Sequence, residues 1–181
     1  MSGVLAAYRA LVAAGELRAD PEQLAAAERL DQLQQELEAA PARGSLLWRL
    51  ARRKPDPVRG VYLWGGVGRG KSMLMDLLFS KVAISAKRRA HFHSFMLEVH
   101  ARLREARLSE SGDPIPIVAA AIADGLRLLA FDEMVVNNSA DAQIMSRLFG
   151  IGAQFARCDQ RAVRRQHAAH RGVVGLRIVP E

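Results

Sequence analysis

The stretch Gly65-Gly66-Val67-Gly68-Arg69-Gly70-Lys71-Ser72 satisfies the pattern G-x-x-x-x-G-K-[ST], and its residue types suit one task, the holding of phosphate. A backbone that wraps the β- and γ-phosphates needs positive φ and close approach, which glycine allows without a steric penalty. Its N–H groups point inward, joined by the partial positive charge at the N-terminus of a following helix. Lys71 would reach the β- and γ-phosphates, and Ser72 would set its hydroxyl on Mg²⁺. A second element, Leu128-Leu129-Ala130-Phe131-Asp132-Glu133, is an apolar run closed by two acids. Asp132 can hold Mg²⁺ opposite Ser72, through water or directly, and Glu133 is placed to polarise an attacking water. Two acids also end many strands as solvated groups. Here the 60 residues between Ser72 and Asp132 leave room for one more strand and its helices, which favours the functional reading. The adjacent glutamate argues for hydrolysis by a built-in base rather than for a small-molecule kinase.

Other chemically capable residues carry less. His91 and His93 lie two apart on an expected strand, facing one way, a spacing that could ligate a metal. No cysteine or third ligand accompanies them, so they read as buried, hydrogen-bonded strand histidines. Phe92 and Phe95 read as core rather than as a base-stacking platform, and Arg52-Arg53-Lys54 as a solvated loop.

The elements that must position these groups follow from local signals. Val61-Tyr62-Leu63-Trp64 is short, apolar and aromatic, as a buried strand is, and leads straight into the glycine-rich turn. Ser72–Lys81 reads as a largely buried helix after it. Upstream, residues 4–17 look helical, and a second helix opens with Asp20 as N-cap, Pro21 in the first turn and Gln23 three residues after the cap. It should run to about Glu38, with Leu24, Leu30, Leu33 and Leu37 on its apolar face and Glu22, Glu28, Arg29, Gln34, Gln35 and Glu38 on its polar side. Arg89–Phe95 alternates like a strand and Met96–Arg107 like a helix, with Val99 and Leu103 on one face. Asp113-Pro114 opens a helix to about Ala123, Leu126–Phe131 is a strongly buried strand, and Ala140–Phe149 is helical. Strand and helix alternate, which predicts an α/β fold with a parallel sheet. Pro41, Gly44 and the run Arg52–Pro57 form a linker. The chain thus divides into a helical arm and linker (1–57), a core (58–149) and a tail (150–181).

The 181 residues suffice for one ordinary domain, and 50% hydrophobic with 25% charged residues excludes a disordered, collagen-like or disulfide-stapled chain. The formal charge of +7 raises an acidic partner, nucleic acid or membrane, but the last 32 residues hold six arginines against Asp159 and Glu181. Most of the basic excess therefore belongs to the tail, and no nucleic acid is expected as partner. One cysteine, Cys158, cannot form an internal disulfide, which fits the cytoplasm. No transmembrane segment or signal sequence is expected.

Taken together the residues resemble the AAA+ ATPases of the ZapE cell-division type, also called ATPase family gene one-like proteins. The resemblance covers residues 4–149 and rests on Tyr8, Gly15-Glu16-Leu17, Asp20 and Gln23, then on Gly60 through Leu77 around the turn. It continues in Arg89-Ala90-His91-Phe92-His93-Ser94-Phe95-Met96 with Val99-His100, and in Asp113-Pro114. It ends in Phe131-Asp132-Glu133, Ala140-Asp141-Ala142 and Arg147-Leu148-Phe149. The glycine-rich turn and the acidic strand end belong to many ATPases, whereas the His-Phe-His-x-Phe-Met segment is specific. The resemblance implies a P-loop NTPase core of the AAA+ type, with ATP and Mg²⁺ as ligands. It also implies ATP hydrolysis in a homo-oligomer, a partnership with the tubulin-like division-ring protein, and a place at the septum. Mitochondrial relatives are tied to the handling of membrane proteins. By position, Gly65, Gly66, Val67, Gly68, Arg69, Gly70, Lys71 and Ser72 would cradle nucleotide, Ser72 and Asp132 the metal, and Glu133 with Lys71 would be catalytic.

There are departures from the family pattern. Met134 replaces a phenylalanine, and Asn137-Asn138-Ser139 stands where an acidic residue is usual. After Phe149 the family continues with a sensor strand ending in Thr-Ser-Asn, a Gly-Leu-x-Arg segment and a helical lid, which residues 150–181 do not match. Gly175-Leu176-Arg177 has the wrong spacing to replace the arginine motif. The expectation is a truncation or a shift of reading frame just after Phe149, since an Arg/Ala/His-rich tail is what GC-rich DNA gives out of frame. Resequencing decides it, because an intact frame with no Thr-Ser-Asn encoded in either shifted frame rejects the shift. The resemblance puts the missing strand between the P-loop strand and the acidic strand, so its loss would leave buried backbone groups unpaired at about 1–3 kcal/mol each. Three outcomes are open: Val173–Val179 fills the gap, the two strands pair directly, or the chain does not fold stably. Little ATPase activity is expected. The alternatives are a nucleotide-binding interaction protein without turnover and a nucleic-acid-associated ATPase of the helicase-loader kind.

Overall fold

The computed structural model describes residues 3–40, 58–66, 68–109, 112–132, 134, 136, 138–151 and 173–178. Among them are six helices, α1 (Val4–Ala13), α2 (Pro21–Ala39), α3 (Lys71–Lys81), α4 (Phe92–Ser109), α5 (Pro114–Ala123) and α6 (Ser139–Ile151). Four strands accompany them, β1 (Val61–Trp64), β2 (Lys87–His91), β3 (Leu128–Asp132) and β4 (Val173–Ile178). The strands form one sheet in the order β1-β4-β3-β2.

β3 is buried along its whole length and divides the core. Leu128 and Ala130 face a cluster with Tyr8 of α1, Leu30, Leu33 and Leu37 of α2, and Leu74, Met75 and Leu78 of α3. Leu129 and Phe131 face the other way, toward Phe95 and Val99 of α4, Val118 and Ile122 of α5, and Met145 and Leu148 of α6. This is the period-2 alternation of a strand covered by helices on both faces. Phe92 and Phe95 are core, as expected, and meet the Phe131 ring edge-on at 5.9 and 4.8 Å between centroids.

The motif-bearing strands run as predicted: β2 pairs parallel with β3, and β1 points the same way. The strand between β1 and β3 is the one from the tail. β4 is antiparallel to both, with Tyr62 and Phe131 each opposite Gly175, so the sheet is mixed rather than wholly parallel. The first of the three outcomes is the one found, and the inner edges of β1 and β3 gain a ladder. β1 itself differs from the expected buried strand. It lies at the sheet edge, its first three residues are half-buried, and Trp64 is 71% exposed.

Caps explain several boundaries. Asp20 accepts from the backbone N–H groups of Glu22 (2.8 Å) and Gln23 (3.4 Å), and Pro21 opens α2, as predicted. Asp113 accepts from Ile115 N–H at 3.3 Å before α5. Asn138, in a family departure, caps α6 by accepting from Ala140 and Asp141 N–H at 2.6 and 3.0 Å. At the other end of α2, Arg127 donates to the Leu37 and Ala40 carbonyls at 2.7 and 2.8 Å, a cation where the helix dipole is negative. Lys87 does the same for α3, donating to Phe79 O (2.7 Å) and Val82 O (3.0 Å).

Two further sequence expectations need correction. Gln34, placed on the polar side of α2, is buried, because its amide satisfies ends of two other helices. Its Oε1 accepts from Val4 N–H at 3.1 Å, and its Nε2 donates to Lys81 O at 3.3 Å and Glu38 Oε1 at 3.0 Å. His91 and His93 do not share a strand: β2 ends at His91, α4 begins at Phe92, and both histidines are exposed. The chain turns helical because Phe92, Phe95, Met96 and Val99 recur at helical spacing on the face that packs against β3. The linker with Arg52-Arg53-Lys54, and Cys158, lie outside the described residues.

Candidate nucleotide-binding site

The glycine-rich turn joins β1 to α3 as the sequence predicts, with Val67 outside the described residues. Gly68 and Gly70 have φ of 78° and 76°, left-handed values that disfavour any side chain. At Gly70 a Cβ would also meet the Gln23 amide nitrogen at 3.0 Å. Gly70 is thus constrained both by its backbone conformation and by the Gln23 amide packed against it. Lys71 folds back over the turn, donating to the carbonyls of Gly65 (3.2 Å) and Gly66 (2.7 Å).

The second motif meets the first. Ser72 Oγ donates to Asp132 Oδ1 at 3.2 Å, across 60 residues of chain, so the start of α3 and the tip of β3 face one another. Asp132 Oδ2 accepts from Arg89 on β2 at 2.7 Å, and Arg89 also pairs with Asp76 on α3. Burial opposes ionisation of Asp132, but the hydrogen bonds from Arg89 and Ser72, with the charge of Arg89 behind them, hold its carboxyl below the ordinary range. Glu133 lies outside the described residues.

The site has a third wall that the motifs did not show. Arg69 turns its guanidinium to the α2 start, pairing with Glu22 Oε2 at 2.7 Å and Asp20 Oδ2 at 3.4 Å. Gln23 Nε2 donates to Arg69 O at 3.3 Å, and Gln23 Oε1 is buried with no hydrogen-bond partner. Leu17, Arg18, Ala19, Asp20, Pro21, Glu22 and Gln23 line an open groove of about 620 Å³ with Arg69. In the sequence Gln23 shows as a cap-box residue and as one position of the family resemblance. A polar side chain three residues past a cap gives no local sign that it reaches a turn 46 residues away. Arg89, too, shows in the sequence as the start of an alternating strand and of the specific segment, with nothing that points to Asp132.

Mg²⁺ takes hard oxygen ligands near 2.0–2.1 Å, so adjacent octahedral ligands lie about 2.9 Å apart. The Ser72 hydroxyl and the Asp132 carboxylate, 3.2 Å apart, fit such an ion with phosphate and water as its other ligands. Among the described residues no group of three or more His, Cys, Asp or Glu could hold a metal by itself.

A strand–glycine turn–helix unit with its lysine and serine, faced by an acid at the tip of a buried parallel strand, defines a P-loop NTPase core. The family is narrower: residues 3–157 match the AFG1-like ATPase model, past Phe149 where the resemblance was expected to stop, and the chain belongs to that family. It is 38% identical over 154 residues to Cell division protein ZapE of Escherichia coli K12, which covers 79% of this chain and 40% of that protein. It is 44% identical over 105 residues to Lactation elevated protein 1 homolog B of Danio rerio, covering 53% of this chain and 21% of that one. The chain thus spans less than half the length of either relative. No solved structure matches it. Among the described residues no helix is long and apolar enough to cross a membrane.

Proposed function

We propose that this chain binds ATP with Mg²⁺ as the nucleotide-binding portion of a ZapE-like AAA+ ATPase. The observation that carries the reading is the Ser72–Asp132 hydrogen bond, which joins the two motifs at one point. The turn's backbone N–H groups and the α3 N-terminus would bind phosphate oxygens, and Lys71 would leave the Gly65 and Gly66 carbonyls for the β- and γ-phosphates. Ser72 and Asp132 would hold Mg²⁺, which when bound neutralises phosphate charge. The groove along Leu17–Gln23 is where the base would lie. Glu133 would orient and deprotonate the attacking water.

Turnover by the 181-residue chain is expected to be slow. β4 is antiparallel, so Val173, its first residue, lies beside Trp64 at the site end of the sheet, where a parallel strand would bring a carboxyl-terminal tip. A role in cell division is supported by the name of the bacterial relative. Action as an oligomer in the cytoplasm, at the septum and on a division-ring protein, is what the resemblance to the ZapE type implies for this chain.

Fluorescent ATP-analogue titration tests the binding. Lys71→Ala should weaken it by about ten- to a hundredfold, the worth of a charge-assisted hydrogen bond of about 1.5–3 kcal/mol. Equal affinity of wild type and Lys71→Ala would refute the site. Phosphate release, abolished by Glu133→Gln, separates an enzyme from a nucleotide-binding protein without turnover.

A further inference from the structure

Arg89 stands in the middle of β2, and its guanidinium reaches acids on two other elements. One nitrogen donates to Asp132 Oδ2 at 2.7 Å, at the tip of β3, and another to Asp76 on α3, the helix that the glycine-rich turn opens. With Ser72 on Oδ1, both Asp132 oxygens have donors from within the protein, and one donor is a full positive charge. The three groups differ in solvent access. The Asp132 side chain is 12% exposed, against 39% for Arg89 and 51% for Asp76. The carboxylate is therefore fixed and largely desolvated, whereas the guanidinium has water and a second acid to move toward. A divalent cation approaching Asp132 meets a carboxylate already neutralised by Arg89.

We propose that Arg89 is a positioning residue that orients Asp132 toward Ser72 and competes with the divalent cation for its carboxylate, with Asp76 as the acid that draws the arginine away. The proposal rests on the reading of Asp132 as the metal-side acid. It predicts opposite effects for two neighbours. Arg89→Gln frees Asp132 and should tighten Mg²⁺, whereas Asp76→Asn leaves the whole arginine charge to Asp132 and should weaken it. Each shift should be about three- to tenfold, in keeping with a partly exposed charge pair.

The test is a Mg²⁺ titration of the 181-residue chain with a methylanthraniloyl ATP analogue, reading the Mg²⁺ midpoint of analogue binding, beside thermal melting in EDTA. Arg89→Gln should lower the Mg²⁺ midpoint and the EDTA melting temperature together, and Asp76→Asn should raise the Mg²⁺ midpoint. Asp76 is on an exposed helix face, so its variant reports even where Arg89→Gln does not fold. If Mg²⁺ does not affect analogue binding by wild type, or Asp132→Asn leaves its effect intact, the reading of Asp132 fails and the proposal with it. If Mg²⁺ acts through Asp132 but Arg89→Gln leaves the midpoint unmoved or raises it, or Asp76→Asn fails to raise it, the competition is overturned while the site stands.

Discussion

Replacing Gln34 by leucine isolates the worth of one amide held between three helices. Gln34 is 5% exposed, and leucine fills nearly the same space, so packing changes little. The hydrogen bonds do change. Glu38 keeps the Ala83 N–H at 2.8 Å. Val4, at 0% exposure in the first turn of α1, loses the acceptor of its N–H. A buried donor left alone costs about 1–3 kcal/mol, and the added apolar burial offsets part of this, leaving a net loss of about 1–2 kcal/mol. With a urea slope near 2 kcal/mol/M, the midpoint should fall by about 0.5–1 M. Equilibrium urea unfolding followed by circular dichroism reads it. Gln35→Leu is the control, one residue along on the exposed side, where the amide donates to Asp31 at 2.9 Å, and it should stay within about 0.5 kcal/mol of wild type. If the two variants shift equally, or Gln34→Leu is stabilised, the buried amide is not what joins α1, α2 and α3.

Two further outcomes follow from the core and from the site. Phe95→Ala removes a ring buried against Phe131 and should cost about 3–5 kcal/mol, read by the same unfolding assay; a loss below 1 kcal/mol contradicts the packing. Asp132 titrates below its ordinary range in the folded protein, so its ionisation stabilises the fold above the unfolded carboxyl value of about 3.9, and the contribution is lost as pH falls through the folded value. The stability gap between wild type and Asp132→Asn should therefore hold level from about pH 8 to 5 and close below about 4, and a gap that widens with acid is the contrary result.

What the sequence disclosed was local. Asp20-Pro21, Asp113-Pro114 and the glycine-rich turn carry their geometry in adjacent residues, and β3 is legible because five buried residues in a row suit few other places. Gln34, Arg89 and Gln23 were opaque for one shared reason. Each is a polar side chain whose burial or role is set by partners at least 30 residues away, among them Val4, Asp132 and Arg69. Polarity alone sends such residues to the solvent face. The histidines failed differently, since alternation over a few residues near a strand end cannot tell the last residue of β2 from the first turn of α4. Asn138 shows the converse, where a departure from the family pattern supplies a helix cap.

The place of β4 in the sheet bears on the order of folding. Among the described residues β1 pairs with β4 alone, so Trp64 waits for Val173 and Val61 for Leu176. During synthesis, α1, α2, β2 and β3 can all emerge before the segment that fixes the strand feeding the glycine-rich turn. Loop-closure entropy over such distances slows pairing, and an unpaired β1 leaves a bare strand edge and the exposed Trp64 open to other chains. The site's lead-in strand is thus the last part of the sheet to be secured, and premature release of the chain would leave a nascent species prone to self-association through the edge that β4 covers.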